Sequence, residues 1–472
     1  MGKLVDAEHE ERTYEIRNDE SRKTVPELTA LTRGVAALDL DQLTAARWFA
    51  GKDRRATAVG LVDALEVPGS DGGWLVVADV THTDGGIERY LLPARVGSGG
   101  TLDEALPGDP LWPALAHAIT TGAQLTGAVG SFIATAGRLE DESPGPGRAL
   151  TDDQSNTSIV LDERLVVKCY RRLRDGIHPE PELLAGLARV GSKWAPSFGG
   201  SLVRHADGGE EMLACVYAFV PGEPLGWEGL IARLRDLLTA DDRSALDALA
   251  HQMSALGAAT AGLHVDLTTA FGIEIAGEDD AEAAVAAAST QLGEALAVAT
   301  PDLAAVLEPR SRQARLALAD LERLAGAPIT RCHGDLHVGQ FVTSPSGPVA
   351  VDFEGEPGRP LHERRLAGSP LRDLACLLLS FDHVAAAASR RLSFGPAVDA
   401  AFSWSSQARV HAVDAYRDGI AGSGLQFDPQ LLRALEVEKE CHEVIYAATV
   451  LPEWSYAPGL AIGRLLDGPS PA

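Results

Sequence analysis

The sequence predicts an α+β chain in which strands dominate the first half and helices the second. Three observations carry this. Alternating apolar residues recur in Trp74–Val80 and Glu88–Leu92, the period-2 signature of half-buried strands. A strand–strand–helix–strand order can be read between residues 158 and 220. Residues 228–327 are then rich in Ala and Leu with helical periodicity. At 472 residues the chain can hold two or three domains with proper cores.

In order along the chain, residues 1 to about 29 read as a polar lead-in. A helix is expected from Leu38, leading into Arg47-Trp48-Phe49-Ala50-Gly51-Lys52. Trp48 and Phe49 read as core anchors, with a ligand contact as the alternative. The paired strands at 74–92 complete a small α+β unit ending near residue 130. Residues 134–150, with Ser143-Pro144-Gly145-Pro146-Gly147, read as a linker. Strands at Ser158–Asp162 and Arg164–Tyr170 flank a tight turn, and His178-Pro179-Glu180-Pro181-Glu182 opens a helix. A strand at 211–220 stops at Pro221-Gly222. A helical tail is expected from Asp373 to about Ala448.

Composition excludes several function classes. Against 41 Lys and Arg stand 67 Asp and Glu, a formal charge of −26, which argues against a nucleic-acid or membrane-surface partner. No apolar run reaches the roughly 18 residues of a membrane helix, and Met1 to Arg22 is densely charged and unlike a targeting signal. The five cysteines show no Cys-x-x-Cys pair and read as free thiols of a reducing, cytoplasmic setting.

The most informative run is His333-Gly334-Asp335-Leu336-His337-Val338-Gly339-Gln340, followed by Val351-Asp352-Phe353-Glu354. Asp335 can accept a proton from a hydroxyl, Gln340 offers a neutral oxygen, and Asp352, after the apolar stretch Pro348–Val351, offers an anionic one. A base with two oxygen ligands is what metal-assisted phosphoryl transfer from ATP requires, and Mg²⁺ prefers such oxygens. Glu354 could reach a second metal or be a solvated loop acid. Lys168 is one of six lysines and lies in the apolar stretch Leu165-Val166-Val167-Lys168-Cys169. Either it contacts nucleotide phosphates or it is an edge-strand lysine pointing to solvent.

The spacing H-x-D-x4-Q with D-F-x downstream resembles the catalytic and metal loops of the protein-kinase-like fold. The variant HGDLH-x2-Q with DFEGEP looks like its aminoglycoside-phosphotransferase branch, and within that the maltokinase-like sugar kinases. The resemblance covers most of residues 40–460. It implies a bilobal fold with an N-terminal α+β cap (1–130), a small lobe (131–222) and a largely helical C-terminal lobe (223–472). It implies ATP and Mg²⁺ as cofactors, Asp335 as catalytic base, and Gln340 and Asp352 as metal ligands. Lys168 would contact the α- and β-phosphates and pair with a helix glutamate, Glu182 first and Glu180 second. The glycine-rich phosphate turn of protein kinases is absent. In its place stands Gln154-Ser155-Asn156-Thr157-Ser158, a type of loop the maltokinase-like relatives use; Ser155, Asn156 and Thr157 would meet phosphate, although a plain polar hairpin reads equally well. The backbone at Ala218 and Val220 would read adenine as the hinge between lobes. His333 and Asp373 would brace the catalytic loop.

The acceptor is read from Leu435–Tyr446. Glu436, Glu440 and Glu443 stand at i, i+4 and i+7 on one helical face, either a solvated acidic face or a holder of a cationic amine. Cys441-His442-Glu443 together with Glu440 looks like the glucosamine-kinase relatives of the maltokinases, and Trp454 could stack on a sugar. Maltokinase-like chains usually have tyrosine where His442 stands and Arg-Asn where this chain has Thr449-Val450, which argues against maltose. The expectation is an ATP-dependent glucosamine kinase with Glu440, His442, Glu443 and Trp454 at the sugar. A maltokinase, an aminoglycoside phosphotransferase and a nucleotide-binding pseudokinase are the alternatives.

Overall fold

A computed structural model describes residues 25–468, apart from 53, 98–100, 140–144, 151–154, 207, 391 and 393–394. The expected lead-in up to residue 24 and Gln154 lie outside the described residues.

The chain opens with α1 (Val25–Ala36) and α2 (Leu40–Ala45). Helix α1 begins inside the segment read as lead-in; its one apolar stripe, with Leu31 and Val35, packs into the core beside β1 (Ala56–Glu66). Asp39 caps α2, accepting from Asp41 N and Gln42 N. β1 pairs antiparallel with β2 (Gly73–His82), and β2 with β3 (Ile87–Val96). β4 (Leu102–Glu104) adds to β3, and α3 (Leu111–Thr120) follows.

A seven-stranded antiparallel sheet comes next. Its members are β5 (Gln124–Thr126), β6 (Ser131–Ala136), β7 (Gly147–Ala149), β8 (Thr157–Leu161), β9 (Leu165–Cys169), β11 (Phe198–Ala206) and β12 (Gly209–Ala218), in the order β5-β6-β11-β12-β9-β8-β7. The stretch read as a linker thus carries β6 and β7. β11 escaped the sequence reading because Gly199 and Gly200 break its alternation. The boundary at residue 130 is also crossed. β5 belongs to the second sheet, while β10 (Arg172–Leu173), just after β9, pairs with β3 of the first. Leu75, Leu91, Trp112, Val167 and Leu213 share one core cluster that spans both sheets. Between β10 and β11 runs α4 (Pro179–Val190), capped by His178 and ended by Gly191 at φ +72°.

The remainder is mainly helical, with a few short strands: α5 (Trp227–Ala240), α6 (Arg243–Gln252), α7 (Ser254–Phe271), α8 (Glu278–Val298), α9 (Pro301–Leu307) and α10 (Ser311–Ala319). Beyond the catalytic run come α11 (Leu361–Arg364), α12 (Leu371–Arg390), α13 (Gly395–Ile420), α14 (Pro429–Thr449) and α15 (Tyr456–Asp467). The last of these lies past the expected helical tail. α12 is buried along almost its whole length, packing on α13, α14 and α15. All five cysteines are unpaired. Among the described residues no helix is long and apolar enough to cross a membrane.

Candidate active site

The catalytic run is an irregular loop fixed by buried polar contacts. Asp373, at the start of α12 and fully buried, accepts from His333 N and Gly334 N, both at 2.8 Å, and meets His264 Nε2 at 3.1 Å. A carboxylate buried this deeply requires such partners. Burial pushes its carboxyl up, but the His264 contact and the loop N–H groups outweigh that and hold it low. His333 donates from Nε2 to Val351 O (2.9 Å), and its Nδ1 accepts from Asp335 N (3.3 Å). It ties the loop to the strand end that precedes Asp352.

A hairpin, Phe341–Ser344 with Gly347–Ala350, brings Gln340 and Asp352 together. Phe341 pairs with Ala350, and Val351 N donates to Gln340 O at 2.9 Å. Gln340 Nε2 then lies 3.4 Å from Asp352 Oδ2. Asp352 has φ +65°, a left-handed backbone rare for a side chain with Cβ and found at functional sites. Gly334 (φ +90°) and Gly355 (φ +74°) let the two loops touch: a Cβ on Gly334 would stand 3.1 Å from Gly355 Cα.

Lys168 sits on β9, between β12 and β8, so it is not an edge-strand lysine. It is buried, with Nζ 2.8 Å from Glu180, 2.7 Å from Asp352 and 2.7 Å from Glu354. Its helix partner is therefore Glu180 and not Glu182. Residues two apart on a helix point in nearly opposite directions, so only one can face β9. Glu182 faces away, bridging Arg331 (2.9 Å) and Arg365 (2.9 Å). The Lys168 cage separates its acids. Burial raises the Asp352 carboxyl, yet Lys168 pulls it down to about 2. Burial, opposed by Lys168 but reinforced by the Asp352 charge, pushes Glu354 up to about 7.

Ser155 and Asn156 line the same cavity as Asp335, Gln340 and Asp352. Asn156 Nδ2 donates to Glu354 Oε1 at 2.6 Å and Asn156 Oδ1 accepts from Arg171 N at 3.3 Å, folding the loop over the metal-loop acid. Thr157 begins β8, paired with Cys169. Ala218 and Val220 do not line this cavity, and the Ala218 N–H is taken by Ser197 O (2.9 Å), so it is not free to read a base. Phe49 is the anchor, stacked on Tyr90 with centroids 4.8 Å apart. Trp48 is half-buried and borders the cavity, with the Arg171 guanidinium 4.0 Å above its ring.

The acceptor expectations divide. Glu440 is fully buried, 3.0 Å from His383 Nε2, and does not open toward Asp335. This corrects the solvated-face reading, and the amine-holder reading for Glu436 and Glu440: Glu436 pairs with Arg409, Glu440 with His383, and Glu443 with Lys439 at 3.2 Å. Glu436 and Glu440 are sealed among the packed helices, whereas Glu443 stays half-buried beside Lys439. Trp454 packs with Trp227, His383 and Tyr456 and is not at the cavity. His442 does approach the site, 3.7 Å from Glu356 Oε1.

Two residues not singled out from the sequence join the catalytic loop here. Lys439 is buried with Nζ 3.5 Å from Asp335 Oδ1 and 3.3 Å from Glu356 Oε1. Glu356 is buried; burial raises its carboxyl but Lys439 brings it down to about 2. A lysine inside a helix otherwise rich in acids and apolar residues was the available signal. Three carboxylates, Asp335, Glu356 and Glu443, thus surround one ammonium.

The model of the phosphotransferase enzyme family matches residues 146–402. Glucosamine kinase of Mycolicibacterium smegmatis is 33% identical over 332 residues, 68% of this chain and 79% of that protein. Glucosamine kinase of Streptacidiphilus jiangxiensis is 30% identical over 397 residues, 80% of this chain and 86% of that protein. A solved glucosamine kinase in complex with glucosamine, ADP and inorganic phosphate superposes with a TM-score of 0.71 at 26% identity, over 92% of this chain and 99% of that one. With this match and the lysine, catalytic-loop and metal-loop residues converging on one cleft, the chain belongs to the phosphotransferase enzyme family.

Proposed function

We propose that this protein is an ATP-dependent glucosamine kinase that transfers the γ-phosphoryl group to the sugar's 6-hydroxyl. The observation that carries the acceptor class is the excess of carboxylates around Asp335: Asp335, Glu356 and Glu443 stand about the buried Lys439, with Arg359 on Glu356 as the second cation, three acids against two. An added ammonium balances such a site, whereas a neutral sugar leaves it anionic. Relatives at 30–33% identity named glucosamine kinase support the same reading.

Asp335 orients the sugar hydroxyl and accepts its proton as the bond to phosphorus forms. Lys168, held by Glu180, meets the nucleotide phosphates. Ser155 and Asn156, at the cavity wall, close the phosphate loop over them. His442 and Glu443 border the acceptor, with Glu356 and Lys439 fixing its charge. The donor set of Gln340 amide and Asp352 carboxylate, with Glu354 adjacent, fits a hard divalent cation such as Mg²⁺. When bound, the ion supplies charge neutralisation of the phosphates.

The test is an ADP-release assay over glucosamine, N-acetylglucosamine, glucose, maltose and several aminoglycosides. Glucosamine is expected to lead, with N-acetylglucosamine poor because acetylation removes the charge. Maltose or an aminoglycoside outperforming glucosamine would replace this reading. Asp335→Asn should reduce glucosamine turnover about 10²–10⁴-fold while ATP still binds; a loss under about threefold would remove Asp335 as the base.

A further inference from the structure

Two guanidiniums face the cleft with no acid in ion-pair contact. Arg174 follows β10 on the side of the two sheets, and Arg364 ends α11 beyond the metal loop. Both are half-buried and both line the cavity that holds Asp335 and Asp352. Among the described residues neither has a carboxylate within ion-pair distance. Their neighbours Arg172, Arg359 and Arg365 do, pairing with Glu88, Glu356 and Glu182.

The two are built into place. Arg174 Nη1 and Arg364 Nε donate to one acceptor, the carbonyl of Arg359, at 3.3 and 2.9 Å. Arg364 Nη1 also donates to Glu354 O at 3.1 Å. The Arg364 stem lies along Gly355, where a Cβ would stand 3.4 Å from the arginine's own Cβ. Burial, then the repulsion of a neighbouring arginine (Arg172 on Arg174, Arg174 on Arg364), holds each guanidinium below its usual range, outweighing the more distant pull of Glu354 and Glu88 on Arg174 and of Glu354, Glu356 and Asp335 on Arg364. In a chain with 67 acidic residues, two adjacent half-buried cations left without a carboxylate in contact leave room for a charge brought from outside.

We propose that Arg174 and Arg364 form a subsite for a tetrahedral phosphate dianion, the γ-phosphoryl group of ATP or the phosphate of the sugar product. The planar forks of two arginines suit such an oxyanion. The subsite draws one arm from each side of the cleft, so an occupied site also holds the two sides together. The identity of the anion rests on the kinase reading above.

The experiment measures, in the full-length protein, the binding of ADP, ATP without acceptor, and glucosamine 6-phosphate to wild type, Arg174→Gln and Arg364→Gln. ADP carries no γ-phosphoryl group and serves as the control for an intact fold. Each variant is expected to hold ADP within about twofold while losing about tenfold to a hundredfold for at least one of the other ligands, the loss of a hydrogen bond to a charged group. A loss confined to ATP places the donor phosphate at the site; one confined to glucosamine 6-phosphate places the product there; loss of both assigns it to each in turn. Equal losses for ADP and ATP with glucosamine 6-phosphate unaffected, or no loss for any ligand, overturns the subsite. If a Gln variant does not fold, Arg→Lys at the same position keeps a cation and removes the fork. Intermediate losses are then expected, and unchanged affinity for both ATP and glucosamine 6-phosphate counts against it. A wild type that binds ATP more tightly than ADP yet does not phosphorylate glucosamine overturns the acceptor reading and leaves the arginine comparison readable.

Discussion

Lys168 shows what one residue can and cannot disclose. A lysine inside Leu165–Cys169 is conspicuous because burying an ammonium requires compensating charge. Its partner was not legible, because the two prolines at the start of α4 leave open which of Glu180 and Glu182 turns toward β9. The structure makes the choice testable. Glu180→Gln removes the contact that places Lys168 and should reduce kcat/KM for ATP by about tenfold or more. Glu182→Gln should leave nucleotide kinetics within about twofold and lower Tm, since Arg331 and Arg365 lose their shared carboxylate. Steady-state kinetics and thermal melts on both variants decide it; the opposite pattern would restore Glu182 as the partner. Asp335, Gln340 and Asp352, by contrast, were readable because their spacing is local: a short hairpin is all that separates the two ligands.

At the scale of the element, α14 carries the sharpest difference between sequence and structure. The i, i+4, i+7 acids do share a face, as helical geometry requires. What covers that face is decided by α12 and α13, which supply His383 and Arg409. The His383–Glu440 contact has a pH consequence. Burial alone lowers the His383 imidazole, but the Glu440 carboxylate outweighs it and raises His383 to about 9, while burial raises Glu440. His383 therefore keeps its proton at neutral pH. A histidine whose folded value exceeds its unfolded one, about 6.5, contributes stability that is fully present below about 6.5. That contribution is lost as pH rises through about 9. Tm of the wild type should therefore fall across this alkaline window more steeply than that of His383→Gln. Parallel Tm profiles for the two proteins would show that the pair does not titrate there.

The molecule as a whole is less divisible than its sequence suggests. β10 of the second unit completes the sheet of the first, and one core joins Leu75 and Leu91 to Val167 and Leu213. Leu75→Ala should cost about 2–5 kcal/mol, as deletion of a fully buried leucine does. The first unit and nucleotide binding should then fail in one transition, followed by tryptophan fluorescence and ADP binding on the same heating ramp. A separate early transition that leaves ADP bound would identify the first unit as independent.

The sequence by itself determined the α+β order, the long helical second half, the catalytic and metal loops, and the importance of Lys168. These are set by short-range periodicity and by residues a few positions apart, so the chain's local geometry suffices. Only the tertiary structure decided that Lys168 meets Glu180, that Glu440 is sealed against His383, that Lys439 and Glu356 join Asp335, and that Arg174 and Arg364 converge. Each of these joins elements distant in sequence, and the docking of a whole helix or sheet, driven by apolar burial with no say in any one polar pair, sets which charged side chains end up facing one another.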